Sequence, residues 1–428
     1  MAATPTSAET EAAAHCLLQF GRVLLQNSAD TGRVQIAVRR FATALGHEAR
    51  LLISYEGLVL TLVSPQGFTT KIGSRIPAMN VGMSQAAAAL RVLHKVEDGR
   101  FDLAQASAEL DRLEHSPPEY NRYLVAIALG MTAASLSRLF GGDWAAFFTC
   151  WIATALGTLA RQEAGKRGFS PVVVSFLAAI VSGVLGGFGA RLLGSHTTAL
   201  CLVAPGMVIV PGVPLINGVQ DMLRNHAGVG MARLGFSFFV IAAIGLGLEI
   251  ASVISGVPLP IDIPSGSVPI AEDAVFAALA ALGFVLLFSV PLRLAWAAAL
   301  CGLASHTVRL AVMETTGASI VLGTLIGALL AGGLAQIFAR KLDAPAATFA
   351  FPGVVAMVPG IYGFRTIAGA MQIVGAGGAP PAGLVDATIA LAVTVVMITG
   401  AITIGIAVPL ALANPRVVGV VEPAQRPH

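Results

Sequence analysis

From Leu124 to Ala413 the chain consists almost entirely of apolar segments, each long enough as a helix to cross a hydrocarbon core about 30 Å thick. We place about ten, near 124–140, 143–160, 170–193, 197–216, 229–254, 273–291, 292–312, 317–338, 345–363 and 384–412. Charge is distributed to match. Residues 1–123 hold 12 Lys/Arg and 12 Asp/Glu, whereas the other 305 residues hold 14 and 11. Soluble domains carry about 25% charged residues, and this chain as a whole carries 11%. The first part suits water and the second suits lipid. The expected architecture is an all-α polytopic membrane domain over 124–413, behind a small soluble α+β domain over 1–123 and before a tail at 414–428.

The remaining composition excludes several classes. A scattered net charge of +3 does not describe a nucleic-acid binder. Cys16, Cys150, Cys201 and Cys301 lie far apart, with neither metal-ligand spacing nor a disulfide framework. They read as small packing residues, and neither a metal nor a cofactor is expected. Residues 1–16 lack a basic region followed by an apolar core, so the N-terminal domain is expected to stay on the side where it is made.

Apolar periodicity in the N-terminal domain predicts helices over Thr10–Gln26, Thr31–Ala44, Gly82–Val96 and Leu103–His115. Between them, residues 49–63 read as a hairpin around Glu56-Gly57, and Gly67–Arg75 as a further strand. Ser116-Pro117-Pro118 closes the domain, because proline lacks the amide hydrogen and forces its predecessor out of helix. His47, His94 and His115 are scattered and read as surface or capping residues.

Charge between the membrane segments orients them. With the N-terminus inside, inner loops receive Arg161, Lys166, Arg167, Arg224, Arg233, Arg293, Arg340 and Lys341. Outer loops receive Arg138, Arg191, Arg309 and Arg365. Eight against four favours both termini on the cytoplasmic side of the plasma (inner) membrane. Loop 255–272, with Asp262 and Glu272 but no Lys or Arg, agrees.

The segments also repeat. Trp144–Gly212 overlays Leu292–Gly360 with a shift of about 148 residues, which brings PGMVIVPG at 205–212 onto PGVVAMVPG at 352–360 with a one-residue gap between the two Pro-Gly pairs. Five spans per half, near 124–254 and 273–412, must enter the membrane in opposite senses. Such a 5+5 inverted repeat is the architecture many secondary transporters use for alternating access.

The doubled Pro-Gly segments are the leading candidate site. Pro205, Pro211, Pro352 and Pro359 each remove a backbone donor, and Gly206, Gly212, Gly353 and Gly360 permit unusual dihedrals. Broken helices of this kind expose carbonyls and half-helix ends to a small zwitterion or anion. Asn217 and Asp221 follow the first pair at i, i+4 spacing, on one helix face. Arg365 follows the second. A carboxylate for an ammonium and a guanidinium for a carboxylate suit an amino acid. Asp221, Arg233, His306 and Arg309 are candidates for proton coupling or the pathway, since intramembrane charges mark pathways and imidazole titrates near neutrality. Arg233 and Glu249 could equally snorkel to the surface, His306 could make a structural hydrogen bond, and Asp386 reads as a cap. The glycines of 182–194 read as close helix packing, and no nucleophile–base pair suggests an enzyme.

Four stretches together resemble the threonine/serine exporter family: VLLQNSADTGRVQIAVRRFATALG, VEDGRFDLAQASAELDRLEHSPPEYNRYLVA, PGMVIVPGVPLINGVQDML and FPGVVAMVPGIYGFRTIAG. The resemblance implies a cytoplasmic domain fused to ten membrane helices, and export of small amino acids driven by the proton gradient, as an antiporter. Asn217 and Asp221, and Phe364 and Arg365, match the positions that follow its two Pro-Gly segments. Asn27-Ser28-Ala29-Asp30 departs from the Ser-Gly-Ala-Ser-type turn of its first helical hairpin. Similar proteins, some split into two chains, are associated with dicarboxylates, so a C4-dicarboxylate such as succinate is the alternative cargo. A membrane-anchored hydrolase or sensor is the alternative of another class. The expected partners are the small metabolite, protons and the bilayer, with no nucleic acid, and the glycine faces permit a homodimer.

Overall fold

The computed structural model describes residues 7–27, 29–55, 57–64, 67–74, 81–259, 261 and 268–413. Glu56, Arg75, Asp262 and the tail expected over 414–428 lie outside the described residues. The chain forms two compact units, Met1–Glu119 with Asn217–Arg233 and Ala411–His428, and Tyr120–Ile216 with Leu234–Leu410.

The first unit contains α1 (Ser7–Gln26), α2 (Thr31–Ala44), β1 (Glu48–Ile53), β2 (Gly57–Ser64), β3 (Gly67–Ser74), α3 (Met83–Glu97) and α4 (Leu103–Glu114). Asp30 starts α2 by accepting from the Arg33 amide at 3.0 Å, and Asp102 starts α4 through a capping box with Gln105. The hairpin expected at 49–63 forms as β1 and β2, and β3 adds to β2 in an antiparallel sheet of order β1-β2-β3. Alternation turns Leu58, Leu60 and Leu62 into the core, where Val34, Val38 and Phe41 of α2 meet Leu17 and Phe20 of α1. Phe20 and Phe41 pack edge to face, 5.0 Å apart. The other sheet face exposes Leu52, Phe68 and Ile72. Cys16 is wholly buried, and burial, with Asp111 adding, pushes its thiol up to about 12. It is an inert packing residue.

The second unit is helical. Its elements are α5 (Arg122–Leu139), α6 (Trp144–Lys166), α7 (Pro171–Leu192), α8 (Thr198–Met207), α9 (Gly212–Leu223) and α10 (Ala227–Ser255). After them come α11 (Ile270–Leu287), α12 (Leu292–Thr316), α13 (Ile320–Leu342), α14 (Ala347–Val355), α15 (Gly360–Ala376) and α16 (Leu384–Ala413). The chain of α9 and α10 crosses between the units. Among the described residues six helices are long and apolar enough to cross a membrane: α7, α10, α11, α12, α13 and α16. The number is up to eight if each bent pair, α8–α9 and α14–α15, is one span. α5 and α6 fall outside that set: Arg122 and Arg138 bracket α5, and Arg161, Glu163 and Lys166 end α6.

Two expected boundaries need correction. Segments 197–216 and 345–363 stop too early, because helix continues to Leu223 and Ala376. Hydropathy falls at Asn217, Gln220 and Asp221 and at Arg365 and Thr366, but the first three are buried and Arg365 is half-buried, so polarity there does not signal a loop.

Gly183, Gly186, Gly187 and Gly189 are the close contacts between helices that the sequence suggests, whereas Gly194 faces open space at a positive φ. A Cβ on Gly186 would sit 2.1 Å from the Cys201 carbonyl oxygen, on Gly183 2.7 Å from Ala251, and on Gly187 2.4 Å from Ser255. Backbone cannot step aside, so Gly186→Ala should cost about 1–3 kcal/mol of stability by overpacking and lower the apparent melting temperature accordingly. Gly333→Ala meets open space and serves as control. Equal melting of the two variants would contradict this account of the α7–α8 contact.

Candidate substrate pathway

Both doubled Pro-Gly segments break a helix, but only at the second proline. Pro205 and Pro352 lie inside α8 and α14, whereas Pro211 and Pro359 stand at the breaks, where the axis bends by 56° and 48°. The two breaks share the hydrogen bonds that flank their prolines. Gly212 N–H donates to the Val210 carbonyl at 2.8 Å, and Gly360 N–H to the Val358 carbonyl at 2.8 Å. The following helices are then re-entered by Leu215 donating to Pro211 and Gly363 donating to Pro359.

The breaks also meet each other. A Cβ on Gly212 would lie 3.2 Å from Val358, and one on Gly360 would lie 3.0 Å from Val210 and 3.6 Å from the Met207 Cα. Gly206 faces Phe364 in the same way at 3.2 Å, within an apolar cluster of α8, α10 and α15. Gly353 fits against Cys301 of α12 at 2.8 Å. The structure therefore brings Pro211-Gly212 and Pro359-Gly360 together at the facing breaks, whereas Pro205 and Pro352 lie within α8 and α14, Gly206 packs on Phe364 and Gly353 packs on α12.

A line of polar groups runs beside the second break. Ser305 of α12 donates to the Gly353 carbonyl at 2.7 Å, and His306 follows it, with Nδ1 2.7 Å from Oδ1 of Asp273 on α11. Asp273 is 1% exposed, and its second carboxylate oxygen is buried with no hydrogen-bond partner among the described residues. Arg309, one turn beyond His306 and also buried, lies near Asp273 and near Tyr362 of α15. The Arg365 guanidinium lies over the Tyr362 ring, 5.8 Å from its centroid, and its Nε donates to the Ile261 carbonyl. Sequence reasoning named His306, Arg309 and Arg365 but missed Asp273 and Tyr362. Asp273 opens an apolar segment, and only its distance from His306 gives it meaning.

Asn217 and Asp221 are buried in the first unit, where Asp221 is fully enclosed. Its Oδ1 accepts from the Thr31 amide of α2 at 3.0 Å, and its Oδ2 lies 2.8 Å from Nη1 of Arg233, which is 1% exposed. Arg233 does not snorkel; its Nη2 donates to the Ala29 carbonyl at 3.2 Å. Arg224 pairs with Asp30, and Asp30 also binds Arg33 at 2.9 Å. Burial pushes the Tyr55 phenol above its ordinary range, with nearby Arg233 pulling the other way. Arg224 reads from sequence as one more inner-loop cation, and Asp30 and Thr31 as an ordinary helix start; their partners lie some 190 residues away. Glu249 is half-buried, and Asp386 sits in the first turn of α16. Among the described residues no three His, Cys, Asp or Glu side chains form a metal-binding group.

Residues 15–255 match the family described as "Putative threonine/serine exporter", and residues 273–412 match "Threonine/Serine exporter, ThrE". The chain belongs to the threonine/serine exporter family. Each match contains one of the bent pairs, and the gap between them is the long α10–α11 connection. Among the relatives, a protein of Klebsiella aerogenes named "Probable succinate transporter subunit YjjP" is 26% identical over 253 residues, 58% of this chain and 96% of that protein. The Escherichia coli protein of the same name is 26% identical over 242 residues, 56% of this chain and 93% of its own. A "Probable threonine/serine exporter" of Mycobacterium tuberculosis is 26% identical over 299 residues, 65% of this chain and 54% of that protein. No solved structure matches. Membership in this exporter family, with several apolar helices, makes the chain a multi-pass membrane transporter.

Proposed function

We propose that this exporter moves threonine, serine or a similarly small amino acid out of the cell in exchange for protons. The two facing, equivalent helix breaks carry the proposal. They supply the unwound backbone and half-helix ends that hold small ions and zwitterions in broken-helix transporters, and the family match agrees. In this reading the helices form ten spans in two inverted halves, α5–α10 and α11–α16, each ordered as three long helices, two short ones and one long. Both termini face the cytoplasm. The chain binds cargo rather than transforming it.

The proposed binding residues are Pro205, Gly206, Pro211, Gly212, Pro352, Gly353, Pro359 and Gly360 with Asn217, Asp221 and Arg365. Arg365 would take a substrate carboxylate. Asp221 would take an ammonium only after giving up Arg233, so the ion pair is one state of a switch. His306 and Arg309, with Asp273, would carry the proton: a buried carboxylate with one oxygen free of hydrogen bonds is a natural acceptor. The names of the two YjjP relatives support a second cargo, succinate. Arg365 and Arg309, both near Tyr362, would then face the two carboxylates.

Purified protein in liposomes, given labelled threonine, serine and succinate with and without a pH gradient, tests both. Gradient-dependent movement of threonine, competed by serine, is the expected result. Movement of succinate alone would replace the amino-acid reading with the dicarboxylate one, and movement of none by folded protein would remove both.

A further inference from the structure

The N-terminal domain has no part in the reading above, yet its α1–α2 turn holds the α9–α10 hairpin through charges closed off from water. Asp221 caps the N-terminus of α2, where the unpaired amides and the helix dipole favour an anion. Arg233 reaches the Ala29 carbonyl just before that helix, and Arg224 pairs with Asp30, its N-cap. Asp30, Asp221 and Arg233 are 3%, 0% and 1% exposed. Apolar contact is slight by comparison: Val229 is the hairpin residue that joins the core of the domain. Apolar packing makes a permanent joint, whereas a buried ion-pair cluster adds little net stability but fixes one geometry and fails as a unit when a partner leaves. The hairpin is also placed for control, since α9 begins at the Pro211-Gly212 break, about 8 Å of helix before Asn217.

We propose that the α1–α2 turn, Ala29–Thr31, is a latch on residues 217–233, and that it must release Asp221 and Arg224 for the transport cycle to proceed. This regulatory role rests on the transporter reading for its second clause only.

Thr31→Pro tests the first clause. Thr31 is the first residue of α2, where proline is favoured, and Asp30 before it already has φ −69° and ψ 152°, the extended conformation a following proline requires. The substitution deletes the donor to Asp221 and puts a ring carbon in its place while leaving α2 able to form. In the full-length protein, amide exchange at 217–233 should quicken at least tenfold while α2 and β1–β3 keep wild-type protection. Unchanged exchange at 217–233 would overturn the latch.

The second clause is tested by tying the latch shut. A Cβ on Gly32 would lie 3.4 Å from Cδ of Arg224, so Gly32→Cys with Arg224→Cys can be bridged by a short, reducible bifunctional thiosulfonate; the four native cysteines are buried. Bridging should cut threonine or succinate movement in liposomes at least tenfold, and reduction should restore it. Bridged protein that transports at the reduced rate would show that the latch need not open. If wild-type protein moves neither substrate, the transporter reading fails, and the exchange measurement alone decides whether the latch exists.

Discussion

Arg233→Met is expected to destabilise the full-length protein by about 3–5 kcal/mol, the usual cost of leaving one partner of a buried ion pair without the other. Asp221 has no exposed surface through which water could replace the guanidinium. Methionine keeps most of the side-chain volume, so the loss reports charge rather than a cavity. The decisive comparison is Arg233→Met with Asp221→Asn, which removes both charges and leaves the amide oxygen to accept from Thr31. That double variant should recover most of the apparent melting temperature lost by the single one. An unchanged melting curve for Arg233→Met, or a double variant no better than the single, would contradict the pairing of Asp221 with Arg233.

Transport should be most sensitive to the contact between the two helix breaks. Gly360→Val would drive branched carbon into Val210 and the Met207 backbone, wedging apart the segments proposed to bind cargo. A cost of about 1–3 kcal/mol on the contact between the breaks corresponds to a loss of about fivefold to a hundredfold in rate. Val210→Ala makes room for the new side chain and should restore transport to within about threefold. The mirrored pair, Gly212→Val with Val358→Ala, should behave alike if the breaks are functionally equivalent. A fast Gly360→Val transporter, or one that Val210→Ala cannot rescue, would dissociate the breaks from the transport pathway.

What could be read in the sequence was local. α2 has the bounds its periodicity predicts, Thr31–Ala44, because Asp30 is a cap and Val34, Ala37, Val38 and Phe41 form one face. The hairpin was visible in its alternation, and the helix breaks in their prolines, although the sequence does not say that Pro205 and Pro352 would be absorbed inside α8 and α14. Long-range pairing was invisible. Asp221 looks like a carboxylate awaiting a substrate until Thr31 and Arg233 are found beside it. Arg233, near a segment end, has the pattern of a snorkelling cation, and nothing nearby in the chain announces that Asp221 will enclose it. Asp273 is ordinary until α12 brings His306 within 2.7 Å. Each miss has one physical origin: a buried charge is explained by its partner, and the partner can be anywhere in the chain.

The first unit draws on residues 217–233 for Val229 in its core and for the carboxylate over α2. A ribosome releases the chain in order. The first 119 residues emerge as a nearly finished domain and must then wait for the stretch that completes them. At about 5–20 residues per second, that wait lasts about 6–23 s. During it, the N-terminus of α2 lacks its carboxylate and the core of the domain lacks Val229. Correct insertion of the first bent pair then becomes a condition for completing a domain that precedes it. An error in folding that pair would therefore surface elsewhere, as an N-terminal unit left unfinished and exposed to proteolysis.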